Sequence, residues 1–146
     1  MNWSNSSSRL LFTLLFFNLA FLFLDFRGSN KTQQIAVLHP RLLSVYSLQK
    51  NQGSSEDGDV YALNLAYQHK LARSSFSIVV GPFGGLKNKD FICVQSLDGA
   101  LNVFEQESFA FSRFLPGYLL PGPLIYIKRT DSFVTASSAW MLESYK

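Results

Sequence analysis

The feature that most constrains the fold is an Asp-Gly pair between two runs of β-forming residues. Phe91–Ser96 and Ala100–Glu105 flank Asp98 and Gly99, and a third run follows at residues 109–115. Asp-Gly between such runs is among the strongest short signals for a tight β-hairpin, because glycine readily adopts the positive φ that the turn requires. The segment therefore predicts three closely spaced antiparallel strands.

The same layout recurs along the chain. A hydrophobic strand, a tight turn and a strand that ends in an aromatic residue begin at Ile35, Phe91 and Phe133, which are 56 and 42 residues apart. Propeller blades repeat every ~40–50 residues. We therefore predict an all-β fold, an incomplete β-propeller of about two and a half blades. A β-sandwich is the alternative, since it also has short strands at regular spacing.

Period-two alternation and β-branched runs predict the other strands. These lie at residues 35–38, 42–46, 61–71, 76–80, 124–128, 132–137 and 140–145. Residues 49–59, which are rich in Gly, Ser and acidic side chains, are predicted to form a solvated loop. The glycine-rich residues 81–87 lack the Gly-Lys-Ser/Thr ending of a phosphate-binding loop, so a turn is the better interpretation.

An apolar head precedes the β region. Residues 10–24 are hydrophobic except at two positions, with Arg9 before them. This length is below the ~17–20 residues of a membrane-spanning helix and fits the ~7–15 of a signal-peptide core. We predict a short hydrophobic helix, with a signal peptide, an uncleaved anchor and a buried helix as alternatives. The predicted domains are a head and linker at residues 1–34 and a partial propeller at residues 35–146.

The chain offers little for chemistry. Its 146 residues carry a net charge of +3 and 2 histidines. The basic residues are scattered rather than clustered, which argues against nucleic-acid binding. His39 and His69 have no further ligands at metal-site spacing and are predicted to be turn or surface residues. Cys93, in the middle of a predicted strand, is expected to be a buried thiol. We predict no catalytic, cofactor-binding or metal residues.

Two phenylalanines stand out among the aromatic side chains. Phe109 and Phe111 are two residues apart in a predicted strand, so they are expected to share one face and to pack between adjacent blades. An exposed interaction patch is the alternative for these residues.

Several longer strings carry a family resemblance. They include Ile92-Cys-Val-Gln-Ser96, Val103-Phe-Glu-Gln-Glu-Ser108, Arg113-Phe-Leu-Pro-Gly117 and Arg129-Thr-Asp-Ser-Phe133. From Ile35 to the C-terminus the chain closely resembles the N-terminal propeller of the parathyroid-hormone-responsive B1 family, also called the Bardet–Biedl syndrome protein nine family. The first 34 residues do not resemble that family.

The resemblance implies a role. Proteins of this family are subunits of the BBSome, a cytosolic coat-like complex that carries membrane proteins to and from cilia. The resemblance implies a truncated, non-catalytic scaffold without cofactor, nucleic acid or small-molecule substrate, which has other BBSome subunits as partners. Its expected location is the cytoplasm, the cilium and the ciliary base, with membrane association through the complex. The alternative is a membrane-anchored or secreted β-rich binding protein directed by the apolar head. A hydrolytic or metal enzyme is a third hypothesis that no motif supports.

Overall fold

The computed structural model describes residues 20–24, 34–51, 60–86, 89–115, 124–137 and 139–146, and in these ranges every regular element but one is a strand. The exception is a short 3-10 turn at Phe83–Gly85. The strands are β1 (Ala20–Leu24), β2 (Gln34–His39), β3 (Leu42–Asn51), β4 (Val60–Lys70), β5 (Ser75–Gly81), β6 (Phe91–Ser96), β7 (Ala100–Glu105), β8 (Ser108–Phe114), β9 (Ile125–Ile127), β10 (Ser132–Ala136) and β11 (Leu142–Tyr145). The prediction of an all-β fold is confirmed.

The strands form three antiparallel sheets in chain order. The first sheet is β1-β2-β3-β4, the second is β5-β6-β7-β8, and the third is β9-β10-β11. Strand β5 contacts both β1 and β9, so the first strands of successive sheets lie side by side. Sheets of up-and-down strands that are stacked through their first strands form a propeller-like array. The predicted incomplete propeller is therefore confirmed, with two four-stranded sheets and one three-stranded sheet among the described residues.

The repeated layout of the sequence corresponds to the same hairpin in each sheet. It is formed by β2 and β3 in the first sheet, by β6 and β7 in the second, and by β10 and β11 in the third. In the second sheet the turn falls at Asp98 and Gly99, and Gly99 has a φ of 85°. The Asp-Gly prediction is thus confirmed, because this backbone conformation strains every residue except glycine far more.

Strand β6 is buried on both faces, since it lies at the centre of the array. Ile92 and Val94 pack into a hydrophobic cluster with residues of the first sheet, such as Leu43. Phe91 and Cys93 belong to the opposite face and to a second cluster, against which the third sheet packs. Fully burying a side chain of this size stabilises the fold by ~1.5–3 kcal/mol. The two clusters therefore hold the three sheets together.

The fourth strands of the first two sheets each carry a β-bulge at an equivalent place. In β4 the extra residue is Ala66, opposite the step from Val45 to Tyr46. In β8 it is Ala110, opposite the equivalent step in β7. A bulge changes the phase of side-chain alternation, so residues on either side of it face differently from what simple alternation predicts.

Two predictions about local structure are wrong. Residues 20–24 of the apolar head form β1 rather than a helix, and they pair in register with β2. Their Phe and Leu residues suit a strand, and β2 offers an edge for pairing. Residues 49–51 belong to β3 rather than to a loop. Residues 10–19 and 52–59 lie outside the described residues, and the domain boundary after residue 34 stays a prediction. Within the described ranges, no helix has the length and apolar character needed to cross a membrane.

Candidate interaction surfaces

In the first and second sheets a backbone hydrogen bond joins the end of the fourth, outer strand (β4 or β8) to a hairpin turn of the same sheet. Leu71, the first residue after β4, donates its N–H to the carbonyl of Arg41 at 3.0 Å, and Leu115, the first residue after β8, donates to Gly99 at 3.0 Å. Both leucines are buried. The same type of hydrogen bond therefore holds the chain where it leaves the first sheet and where it leaves the second sheet. These bonds fix the ends of β4 and β8.

The β6–β7 turn is held by side chains as well. The Ser96 hydroxyl lies 3.0 Å from the backbone nitrogen of Ala100 and also bonds the Asp98 carboxylate. Asp98 forms an ion pair with Arg73, whose guanidinium lies 4.9 Å from the centre of the Phe114 ring. Because Arg73 follows β4, this ion pair ties the first sheet to the second. The role of Asp98 is therefore structural, as its position in the turn predicts.

His69 lies in the joint between the first and second sheets. Its Nε2 is 2.9 Å from the backbone oxygen of Gln106, and its ring stacks on Phe104 with centroids 4.5 Å apart. The ring is half-buried, so the prediction that His69 is a surface residue is wrong. His69 is half-buried because of the bulge in β4. The bulge places His69 opposite the buried Leu43, on the same face of the sheet.

Tyr67 lies beside His69, and the pKa of its hydroxyl is raised. Its ring meets the imidazole edge-on at 5.6 Å, and its hydroxyl has no hydrogen-bond partner among the described residues. Burial, together with the nearby Glu107 carboxylate, raises the pKa of Tyr67 to about 12. Tyr67 therefore stays neutral at ordinary pH, and its ring contributes to the packing between the first two sheets rather than to acid-base chemistry.

A second polar joint connects the second and third sheets. The Tyr126 hydroxyl donates its single hydrogen to Oδ1 of Asp131 at 2.6 Å, and the carbonyl oxygen of Pro82 lies 3.1 Å from the same hydroxyl. The backbone N–H of Gly84 donates to the same carboxylate oxygen at 2.9 Å. The Tyr126 ring also meets Phe83 edge-on at 4.7 Å. This joint was not predicted from the sequence, where only the Gly-rich turn could have signalled a close approach.

The glycine-rich segment is a turn, as predicted. Gly84 has a φ of 77° within the 3-10 turn that follows β5. Gly81 has a different role, because a Cβ there would lie 2.6 Å from Cδ1 of Tyr126. The absence of a side chain at Gly81 thus allows the third sheet to approach the second.

The other candidates for chemistry lie apart from one another. Cys93 is fully buried, as predicted, and this burial raises the pKa of its thiol strongly. His39 is the last residue of β2, next to the predicted turn. Among the described residues, no three His, Cys, Asp or Glu side chains come together as a possible metal site. That the chain has no catalytic, cofactor-binding or metal residues stays a prediction.

The outer strands expose large apolar side chains. Phe109 and Phe111 are 56% and 53% exposed. The prediction that they share one face and pack between adjacent blades is therefore wrong. The bulge at Ala110 pairs Phe109 with Phe104 and Phe111 with Val103, which places them on opposite sides of the second sheet. Phe109 meets the Phe104 ring edge-on at 5.6 Å, whereas most of its surface stays accessible. Other exposed apolar residues of the outer strands are Tyr61, Leu63, Leu65 and Phe114.

Comparison with known proteins identifies the family. The PTHB1 N-terminal family model matches residues 19–146 of this chain. The chain belongs to the PTHB1 N-terminal family. This match begins at residue 19, whereas the resemblance seen in the sequence begins sixteen residues later, at Ile35. The matched region therefore includes β1.

Individual PTHB1 proteins are similar over most of the chain. The chain is 54% identical to Protein PTHB1 of Mus musculus over 121 residues, which are 83% of this chain and 14% of the mouse protein. It is 52% identical to Protein PTHB1 of Homo sapiens over the same shares of both chains. A homologue from Caenorhabditis elegans is 28% identical over 107 residues. The chain thus spans about 14% of the length of the PTHB1 relatives that it matches.

Solved structures support the fold alone. A chain of the Chaetomium thermophilum polycomb repressive complex 2 matches with a TM-score of 0.63 and 9% identity, over 90% of this chain and 27% of that chain. A chain of an active polycomb repressive complex 2 in the basal state matches with a TM-score of 0.60 and 10% identity. At such low identity these matches show a common arrangement of sheets.

Proposed function

We propose that this chain is a non-catalytic interaction module of the BBSome, which supports the trafficking of membrane proteins to and from cilia. The observation that carries the proposal is the 52–54% identity with vertebrate PTHB1 proteins over 121 residues. The geometry supports the same role. Polar side chains of the joints are engaged in holding sheets together, whereas the outer strands leave aromatic surface free for a protein partner.

The proposed partners are other BBSome subunits, and the proposed contact surface is β8, which is exposed along its whole length and carries one of the two phenylalanines on each side of the sheet. Phe109 and Phe111 each present more than half of their surface. Aromatic side chains, Phe included, are enriched in protein interfaces, because they bury a large apolar area on contact with a partner. Membrane association then arises through the complex and not through this chain itself.

Affinity purification tests this proposal. The tagged chain is expressed in ciliated mammalian cells and recovered, and the eluate is probed for BBSome subunits. The wild type and a control variant, Leu97→Ser, are expected to retain them, since Leu97 is an exposed turn residue at the other end of the strands. The double variant Phe109→Ser, Phe111→Ser is expected to lose them at least tenfold. Absence of BBSome subunits from the wild-type eluate, with the chain soluble and folded, would refute the proposal.

The proposed location is the cytoplasm, the cilium and the ciliary base, and the apolar head provides the competing hypothesis of an anchored or secreted protein. Asn51 becomes a glycosylation acceptor in the variant Gly53→Thr, because the triplet then reads Asn-Gln-Thr. We expect no glycosidase-sensitive mobility shift for this variant in mammalian cells. A shift would place the β region in the secretory lumen and would favour the competing hypothesis.

A further inference from the structure

Each sheet of this fold has two different faces, and successive sheets pack through them in the same way. We call the face that a sheet turns to the next sheet its forward face and the opposite one its rear face. Leu43 of the first sheet packs in one cluster with Ile92 of the second, and Phe133 of the third sheet packs against the cluster that contains Leu101. Leu43 and Leu101 are the second residues of β3 and β7, and Ile92 and Phe133 are the second residues of β6 and β10. Both joints are therefore built from equivalent positions.

The hairpin of the third sheet repeats the turn of the second. Gly99 and Trp140 each donate their backbone N–H to the carbonyl three residues before them, at 3.1 and 3.0 Å. Both residues have a positive φ, which is 85° at Gly99 and 60° at Trp140. Leu101 and Leu142 each come two residues after this turn position. Leu142 therefore holds the place in β11 that Leu101 holds in β7.

The forward face of the third sheet is open. Leu101 is 4% exposed because the third sheet covers it, whereas Leu142 is 82% exposed. Ile125 pairs with Val134 on the same face and is 54% exposed. The other described residues of this face are, by register, Ile127, Ser132, Ala136 and Ser144, and none of them is charged. The end of a repeat array requires a polar outer face for solubility, so this apolar face is suited to burial.

The rear face of the first sheet is also open. Tyr46 pairs with Ile35 as Phe104 pairs with Ile92, so the two pairs hold equivalent places in their sheets. Ile92 and Phe104 are 0% and 4% exposed beneath the first sheet, whereas Ile35 and Tyr46 are half-buried. Leu65 lies opposite Tyr46 on the same face and is 52% exposed. The positions that form a joint in the second sheet are thus accessible in the first.

These two open faces are the two halves of one joint, since a forward face packs on a rear face at each step of the array. The three described sheets of one copy are too few to close a propeller, which needs ~4–8. Two copies contribute six sheets, whereas three copies contribute nine and exceed that range. We propose that two copies of this chain associate head to tail, with the third sheet of each packed on the first sheet of the other, and close a six-sheet ring.

Closure of the ring stabilises such a dimer. A head-to-tail contact gives a ring if its rotation closes and a filament if it does not. Once one joint of the dimer has formed, the two remaining open faces are held at a high effective concentration, which favours the second joint. This association depends on the two end faces alone and not on the proposed role in the BBSome.

The mass of the purified wild-type chain in solution tests the proposal without any variant. We expect sedimentation velocity and light scattering to give twice the 16.5 kDa mass of one chain, with dissociation to the monomer on dilution. A monomer at every concentration would overturn the proposal, whatever else covers the two faces. A series of species that grows beyond the dimer as the concentration rises would overturn the closed ring.

Variants on the two open faces test the head-to-tail arrangement. Leu142→Asp alters the forward face of the third sheet, and Ile35→Lys alters the rear face of the first. Each variant alone has a charge in both joints of its dimer, so each is expected to raise the dissociation constant at least tenfold. Leu97→Asp, at an exposed leucine in the turn of the second sheet, is the matched control and should leave the constant unchanged.

Mixing the two variants separates this arrangement from a face-to-face dimer. A mixed dimer has one joint of wild-type sequence and one in which Asp and Lys carry opposite charges. We therefore expect the mixture to associate at least fivefold more tightly than either variant alone. Full dimerisation of either variant alone, or no gain on mixing two variants that circular dichroism shows to be folded, would contradict the proposed joints. Leu65→Lys, at a more exposed position of the same rear face, replaces Ile35→Lys if that variant fails to fold.

Discussion

The hydroxyl of Tyr126 donates a hydrogen bond of 2.6 Å to Oδ1 of Asp131. These residues lie on either side of the turn between β9 and β10, and Asp131 also accepts the N–H of Gly84 from the second sheet at 2.9 Å. One carboxylate oxygen therefore fixes a turn of the third sheet against a turn of the second. The relative position of the two sheets depends on this arrangement as well as on apolar packing.

Removing the Tyr126 hydroxyl tests this joint. Tyr126→Phe keeps the ring that packs on Phe83 but loses the hydrogen bond to Asp131 and the approach of the hydroxyl to the Pro82 carbonyl. Since a typical hydrogen bond contributes ~0.5–1.5 kcal/mol, we expect the free energy of unfolding in urea to fall by about 1 kcal/mol. Tyr61→Phe, at an exposed tyrosine, is the control and should have almost no effect. Equal stability of the two variants would contradict the assigned role.

The same joint predicts a loss of stability in acid. The Tyr126 hydroxyl, and to a lesser extent the Gly84 N–H, hold the pKa of Asp131 below its ordinary value. A lowered folded-state pKa gives stability that is present above the unfolded pKa of ~3.9 and is lost as the pH falls through the folded pKa. Thermal melting of the wild type should therefore decline below about pH 4. Asp131→Asn, which tolerates the positive φ at this position, should decline less. Parallel pH profiles would rule out this linkage.

The raised pKa of Tyr67 predicts a loss of stability in alkaline solution. Burial raises its pKa to about 12, above the ~10 of an unfolded chain, so the folded state disfavours the phenolate. The stability associated with the neutral phenol is present below pH ~10 and is lost as the pH rises towards 12. Chemical unfolding should therefore become easier between pH 10 and 12, and Tyr67→Phe should reduce this change. If Tyr67→Phe and the wild type lose equal stability over this window, another group titrates there.

The close contact between Gly81 and the Tyr126 ring predicts that substitutions at these two positions affect stability together. A Cβ at this position would lie 2.6 Å from Tyr126, so Gly81→Ala must displace the ring or the strand. We expect a loss of about 1–3 kcal/mol in unfolding free energy, as is typical of overpacked sites. In a Tyr126→Ala background the added methyl group finds space, and the loss should be at least halved. Additive effects in this double-mutant cycle would show that the two sites are independent.

The sequence predicted the strands and their repetition well because these depend on local patterns. Alternation identified β2 and β4, and Asp98-Gly99 identified the central hairpin. Strand β1 was missed because residues 20–24 are continuously apolar. A short apolar run is compatible with a strand or a buried helix, and only its pairing with β2 decides between them.

The contacts between the sheets were less predictable from the sequence. The assignment of Phe109 and Phe111 to one face failed because nothing in Phe-Ala-Phe signals the bulge at Ala110. The joint of Tyr126 with Gly84 was missed for another reason. It brings together residues that are more than forty positions apart, and local spacing carries no information about such an approach.

The repeated bulges restrict how the length of the outer strands can change in evolution. Deleting the single extra residue, Ala66 in β4 or Ala110 in β8, would restore uninterrupted alternation and turn one end of the strand over. In β4 the residues that join the first and second sheets would then exchange faces with those that point away. Insertions and deletions in these strands should therefore survive in pairs, whereas substitutions can accumulate singly. We therefore expect the spacing around each bulge to vary less among relatives than the identity of the residue that occupies it.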